Sequence, residues 1–141
     1  MNELNFQTSR RTYTVNGGNE ISFDPADVAF VGRVYDLLEK LQQLQEPLDL
    51  EAPEKVFEIA AARDVQMREE IDDAFGEPVC EKVFGRTNVF SPAGGAPLWM
   101  NFLMAVIDEI DAASETEREK SPKLMAYMEK YEKKYGKRVK K

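Results

Sequence analysis

The stretch from Pro97 to Ala113, PLWMNFLMAVIDEIDAA, decides how the rest of this sequence can fold. Its apolar residues recur every three or four positions, which places them on one side of an α-helix. They are Leu98, Trp99, Phe102, Leu103, Val106, Ile107 and Ile110. Asn101, Asp108 and Asp111 form a narrow polar stripe on the other side. So wide an apolar face needs neighbours on two or three sides, and we predict that this is the core helix.

Composition predicts a soluble globular protein. The chain has 141 residues, of which 43% are hydrophobic and 32% are charged. This length suffices for one domain with a core that needs no disulfide or metal. Apolar runs are shorter than the roughly 18 to 20 residues of a membrane span, and the opening residues lack the apolar centre of a signal peptide. We therefore expect a cytoplasmic protein without membrane contact.

The residue inventory argues against catalysis. The chain has a single cysteine, Cys80, and no histidine, which excludes an internal disulfide and removes the commonest metal ligand and general base. Nothing near Cys80 in sequence would activate it, so we interpret it as a small core residue. The prediction is a protein that is not an enzyme, with no catalytic, cofactor-binding or metal-binding residues and no cofactor.

Charge is distributed unevenly along the chain. The net charge is −7, but the residues from Glu129 onward carry +5, so the first 128 residues carry −12. An acidic body repels nucleic acid, whose binding depends on phosphate contacts, and we expect no nucleic-acid partner.

Residues 11–23 predict a β-hairpin. The β-prone run TYTV is followed by Asn16-Gly17-Gly18, which tolerate positive φ, and then by Ile21 and Phe23 alternating with polar residues. A two-stranded ribbon is marginally stable alone. It therefore packs on the helices of its own chain or pairs with the edge of another chain.

The first helix is predicted to open at Asp24-Pro25, with Asp24 as N-cap and Pro25 as the first helical residue. Its apolar seam is spaced four, three, four and three and consists of Phe30, Val34, Leu37, Leu41 and Leu44. Val31 and Leu38 widen this seam. Internal packing and self-association both fit a seam this short, so a homo-oligomer is possible. Glu46-Pro47 is expected to end the helix.

A second helix is predicted from Pro53 to Phe75, with Gly76 as C-cap. Its inner face is expected to contain Val56, Ile59, Ala60, Met67, Ile71 and Ala74. Arg63 and Asp64 interrupt that face, either as a compensated buried pair or as solvated flanks. A short helix is expected from Glu77-Pro78 to Gly85, and residues 86–96 read as a loop.

The core helix should continue to Lys120, and a last helix should start at Ser121-Pro122 and end at Gly136. The fold class is thus mainly α, a compact helical domain of about five helices with an N-terminal β-hairpin. It covers residues 1–136 and is followed by a flexible basic tail, 137–141.

Two acidic clusters raise the question of a metal site. They comprise Glu69, Glu70, Asp72 and Asp73, and Asp108, Glu109 and Asp111. Helix-bundle metal sites join carboxylates to histidine, and calcium loops need alternating oxygen ligands and a glycine. Neither pattern is present, so solvated helix faces are the favoured interpretation.

Four segments together resemble small tail proteins encoded by siphophages and prophages of Gram-positive bacteria, and most of all the tail assembly chaperones. The segments are LNFQTSRRTYTVNGG, ISFDPADVAFVGRVYDLLEKL, AARDVQMREEIDDAFGEPVCEKVFGRTNVF and LWMNFLMAVIDEID, followed by a lysine-rich end. The resemblance implies a helical, non-enzymatic protein that binds the tape measure protein during tail assembly and leaves the mature virion.

Two other functions stay open at this point. One is a structural tail completion or connector component, and the other is a phage-encoded protein that binds and regulates a host protein. The candidate partner-binding residues are basic and lie near the end of the chain, where they could capture an acidic client segment. They are Lys130, Lys133, Lys134, Lys137, Arg138, Lys140 and Lys141.

Overall fold

The structure is a computed structural model that describes residues 1–43 and 53–120 together with Ala126 and Lys130. Most of these residues are helical, and an antiparallel β-hairpin precedes the helices, so the predicted fold class is confirmed. Within the described ranges there are four helices rather than about five. The helix predicted to start at Ser121-Pro122 falls almost wholly outside them.

The hairpin consists of β1 (Arg11–Thr14) and β2 (Glu20–Phe23), with Tyr13 opposite Ile21. Asn16 and Gly17 have φ angles of 50° and 75°, which explains why the turn needs residues that tolerate left-handed backbone. Ile21 and Phe23 are buried. The hairpin therefore packs on the core of its own chain.

The first helix, α1 (Val28–Gln43), begins at Val28, so the predicted start at Asp24-Pro25 was wrong. Asp24 Oδ1 accepts a hydrogen bond from the Ala26 N–H at 2.9 Å and caps a preceding turn. Pro25 is fully buried in that turn. Asp27 Oδ1 accepts the Ala29 N–H at 3.0 Å and is the N-cap of the helix.

The seam of α1 lies in the core. Phe30, Val34, Leu37 and Leu41 are all buried, which confirms internal packing for these four positions. Leu44 and the predicted helix end at Glu46-Pro47 lie outside the described residues.

Helix α2 (Pro53–Phe75) ends as predicted, because Gly76 has a φ of 75° and its N–H donates to the Asp72 carbonyl at 2.9 Å. The Arg33 Nε donates to the Ala74 carbonyl at 2.9 Å, so α1 satisfies one acceptor at the end of α2. Met67, Ile71 and Ala74 are buried on its inner face, whereas Val56, Ile59 and Ala60 are only half-buried.

Helix α3 (Cys80–Phe84) starts later than the predicted Glu77-Pro78. The N–H groups of Val79 and Cys80 both donate to Asp72 Oδ1, each at 2.9 Å. A carboxylate on α2 thus supplies the acceptor for the start of α3, and that partner is invisible to local sequence rules.

The segment predicted as a loop contains two short paired strands, β3 (Pro92–Ala93) and β4 (Ala96–Pro97), joined by Gly94-Gly95. Helix α4 (Leu98–Lys120) follows without a break and confirms the predicted core helix with its extension. Its first N–H groups are satisfied by the preceding segment, since Leu98 donates to the Ser91 carbonyl at 2.9 Å and Trp99 to the Val89 carbonyl at 3.0 Å.

One buried cluster joins the hairpin to all four helices. Trp99, Leu103, Val106, Ile110 and Ala113 line the buried side of α4. Trp99 has no exposed surface and is the largest fully buried side chain among the described residues. No helix in the described ranges is long and apolar enough to span a bilayer.

The first prediction tests Trp99. Trp99→Ala should lower the free energy of unfolding by about 3 to 5 kcal/mol, the range for deleting a buried large aromatic side chain. Met104→Ala on the same helix is the control, because Met104 is exposed and should cost less than about 1 kcal/mol. Chemical denaturation measures both. Equal losses in the two variants would contradict the central position of Trp99.

Candidate functional site

A groove of about 510 Å³ lies between the hairpin, α3 and α4. We call it the hairpin groove. Phe23, Phe84, Phe102 and Val106 contribute to its apolar lining, and Glu109 is the single charged residue that lines it. This volume lies within the roughly 300 to 1,000 Å³ typical of ligand sites. The hairpin groove is therefore suited to an uncharged, largely apolar occupant.

The hydroxyl group of Tyr13 is a buried polar group beside this mainly apolar groove. Its oxygen is buried and has no partner at hydrogen-bond geometry among the described residues, but the Arg11 and Glu109 side chains lie beside it. Burial, followed by the negative charge of Glu109, raises the Tyr13 pKa above its usual value of 10.0. A buried hydroxyl without a partner is unfavourable. A small movement of the Arg11 or Glu109 side chain toward the hydroxyl would remove that penalty.

A second apolar surface runs along α1 on the side next to its buried seam. Val28, Val31, Tyr35 and Leu38 follow a three, four, three spacing and form what we call the α1 face. Val28 is 84% exposed and Tyr35 is 45% exposed. Val31 and Leu38 are half-buried and pack against the core. The core therefore covers only part of the apolar surface of α1.

The solvent side of the α1 face is acidic. Glu39 lies one turn after Tyr35, and Asp36 lies further round the helix; both are exposed. An amphipathic helix with basic residues beside its apolar seam would match this surface in shape and charge.

Sequence reasoning found the buried seam of α1 but missed the α1 face as a separate surface. It treated Val31 and Leu38 as a widening of the seam and gave no role to Val28 or Tyr35. The signal was present, because a second three, four, three series starts at Val28. The hairpin groove had no such signal, since Tyr13 and Glu109 lie far apart in sequence.

Asp64 and Arg68 form a partly buried structural site. Asp64 Oδ2 accepts from Arg68 Nε at 3.0 Å, and Asp64 Oδ1 accepts the Val89 N–H at 2.7 Å. A second Arg68 nitrogen donates to the carbonyls of Gly85 and Thr87, each at 2.8 Å. Asp64 is thus compensated by Arg68, one turn later, and the two side chains tie the segment after α3 to α2.

Cys80 is a buried free thiol. Burial, with the nearby Asp72 carboxylate as the next cause, raises its pKa far above the usual range, so the thiol stays protonated at neutral pH. This agrees with its interpretation as a small core residue.

Two members of the first acidic cluster make structural contacts. Asp72 caps α3, and Glu70 accepts from Lys40 Nζ at 2.9 Å in an exposed ion pair between α2 and α1. The part of the chain that the structure describes contains no group of three or more acidic, cysteine or histidine side chains arranged to hold a metal ion.

The proposed basic binding residues fall mainly beyond the described part of the chain. Lys130 is helical and exposed. The other six positions lie outside the described residues and are Lys133, Lys134, Lys137, Arg138, Lys140 and Lys141.

Comparison with known protein families, with curated proteins and with solved structures finds no match to this chain.

A second prediction concerns Asp64. Asp64→Asn should lower the free energy of unfolding by about 1 to 3 kcal/mol, because the charge-assisted bond to Arg68 is lost in a partly buried site. Glu69→Gln is the control on the same helix, since Glu69 is exposed. Thermal and urea unfolding measure the difference in stability between the two variants. Indistinguishable stabilities for the two variants would argue against the structural role of the Asp64–Arg68 pair.

A third prediction concerns pH. Glu109→Gln should lower the Tyr13 pKa, because the negative charge of Glu109 is, after burial, the next cause of its raised value. NMR of the labelled tyrosine ring carbons measures this titration, with Tyr13→Phe for assignment. Because the folded pKa exceeds the unfolded value, the contribution of Tyr13 to stability is complete below about pH 10 and is lost as pH rises through the folded pKa. A Tyr13 pKa below 10 in the unmodified protein would refute the assignment.

Proposed function

We propose that this protein is a non-enzymatic tail assembly chaperone of a phage or prophage and that it binds the tape measure protein during tail assembly. The observation that carries the proposal is the exposed α1 face, Val28, Val31, Tyr35 and Leu38. The identification of the tape measure protein as the client rests on the sequence resemblance.

The spacing of the α1 face favours a helical client. Side chains spaced three and four residues apart interdigitate with the same spacing on a second helix. A long apolar helix needs such cover until it is packed in its final assembly. The α1 face offers about three turns of contact, which favours reversible binding.

Charge supports the same role in two ways. The acidic first 128 residues keep a protein with exposed Val28 and Tyr35 soluble through repulsion between copies. The acidic side of the α1 face, Asp36 and Glu39, favours a client helix with basic flanks. The seven basic residues from Lys130 onward supply a second contact for an acidic segment of the same client.

The fourth prediction tests client binding by co-expression with the tape measure protein of the same phage or prophage. The unmodified chain should keep this client soluble and co-purify with it. The double variant Val28→Glu, Tyr35→Glu should reduce the co-purified client at least about tenfold, because it places two charges in the apolar contact. The control is a comparison of single variants: Val28→Glu is compared with Ala29→Glu, which adds the same single charge on the same turn but outside the α1 face.

Two results would contradict the proposal. One is a tape measure protein that is equally soluble without this chain, and the other is equal loss of binding in Val28→Glu and in Ala29→Glu. Mass spectrometry of purified virions distinguishes a chaperone from a structural tail component, because a structural component stays in the particle and a chaperone leaves it.

A further inference from the structure

The first eight residues expose large apolar side chains without covering them. Residues 1–8 form no strand or helix in the structure and are all exposed. Leu4 is 88% exposed and Phe6 is 78% exposed. We call residues 1–8 the arm. Large apolar side chains concentrated in one exposed segment indicate a surface that is covered in an assembly.

The side-chain pattern of the arm matches the hairpin groove. In an extended chain Leu4 and Phe6 point to the same side, while Asn5 and Gln7 point to the other. Residues 4–9, LNFQTS, carry no charge, so this segment can leave water without desolvating an ion. The groove lining is mainly apolar, with a few uncharged polar residues and a single charged one, and the groove has room for large side chains.

The groove also offers polar partners for the backbone of an extended peptide. Such a peptide presents free N–H and C=O groups along its length. Asn16, Thr87 and Asn101 are exposed residues of the groove lining, and their amide and hydroxyl groups can pair with these backbone groups.

The direction of the arm favours the groove of another copy. Arg10, which follows the arm, donates to the Ser22 carbonyl at 3.4 Å and lies 4.0 Å from the Glu77 carboxylate. Ser22 also pairs with Thr12 on the hairpin face opposite Tyr13, Ile21 and Phe23. To enter its own groove the arm would have to reverse close to Arg10 and pass from the Thr12 and Ser22 face of the hairpin to the other face, whereas it can enter the groove of a second copy without reversing.

From these observations we propose that two copies of this protein form a dimer by exchanging arms, with Leu4 and Phe6 of each copy in the hairpin groove of the other. The contact is isologous, because each copy donates one arm and receives one. The inference is independent of the proposed client, since the hairpin groove contains no residue of the α1 face.

The fifth prediction uses one variant on each side of the contact. Phe6→Ser removes an apolar anchor from the arm, and Ala105→Glu places a charge in the groove from an exposed position on α4. Each should weaken dimerisation at least about tenfold in sedimentation equilibrium, because an apolar contact is lost. The controls are Gln7→Ser, on the opposite side of the arm, and Ala112→Glu, two turns beyond Ala105 and outside the groove lining. Both should dimerise as the unmodified chain does.

Mixing the two defective variants gives the decisive measurement. In a homodimer of either variant both contacts carry one defect, whereas in the heterodimer the intact arm of the Ala105→Glu chain enters the intact groove of the Phe6→Ser chain and both defects fall in the other contact. Two substitutions within one contact are not additive, because a contact that the first has broken loses little more to the second. The mixture should therefore form heterodimers more strongly than either variant forms homodimers. Thermal unfolding confirms that both variants remain folded. A monomer at all concentrations, dimerisation unaffected by both variants, or a mixture no better than its components would each overturn the proposal.

Discussion

A continuous series of ring contacts connects the elements of this fold. Tyr13 stacks on Phe23 with centroids 4.5 Å apart, and Phe23 contacts Phe30 at 5.2 Å. The Phe75 ring lies 5.1 Å from Phe30 and 5.6 Å from Phe102. The Phe84 ring in turn lies 5.6 Å from Phe102. The series passes from the hairpin through α1, α2 and α4 to α3. A marginal two-stranded ribbon is stable here because its aromatic side chains belong to the core.

Polar contacts fix where the helices meet. Val89 is fully buried; its N–H donates to Asp64 on α2, and its carbonyl accepts from Trp99 at the start of α4. One residue of an irregular segment therefore connects two helices through both of its backbone groups. Such a segment can be buried only because each of these groups has a partner. The same arrangement sets the start of α4 and so the position of Trp99 and of the hairpin groove.

Sequence patterns among nearby residues predicted the structure well. Features that depend on partners distant in sequence were not predicted. The spacing in α1 and α4, the Asn16-Gly17 turn and the Gly76 cap all concern residues within a turn or two of each other. The true starts of α1 and α3 depend on the burial of Pro25 and on Asp72 reaching Val79 and Cys80. The hairpin groove depends on Tyr13 and Glu109 meeting across the fold, which no local pattern encodes. The α1 face could have been found, since its spacing is visible in the sequence.

The two proposed surfaces have a joint consequence. The hairpin groove is formed by the hairpin, α3, the segment after it and α4, whereas the α1 face lies on a different helix, so occupation of one leaves the other accessible. An arm-exchanged dimer would therefore carry two α1 faces. A short apolar face binds a helix weakly, but two faces on one dimer bind a long helix with an effective concentration set by their separation. Dimerisation would thus strengthen the hold on an extended client while each single contact remains weak enough to be released as the client is packed into its assembly.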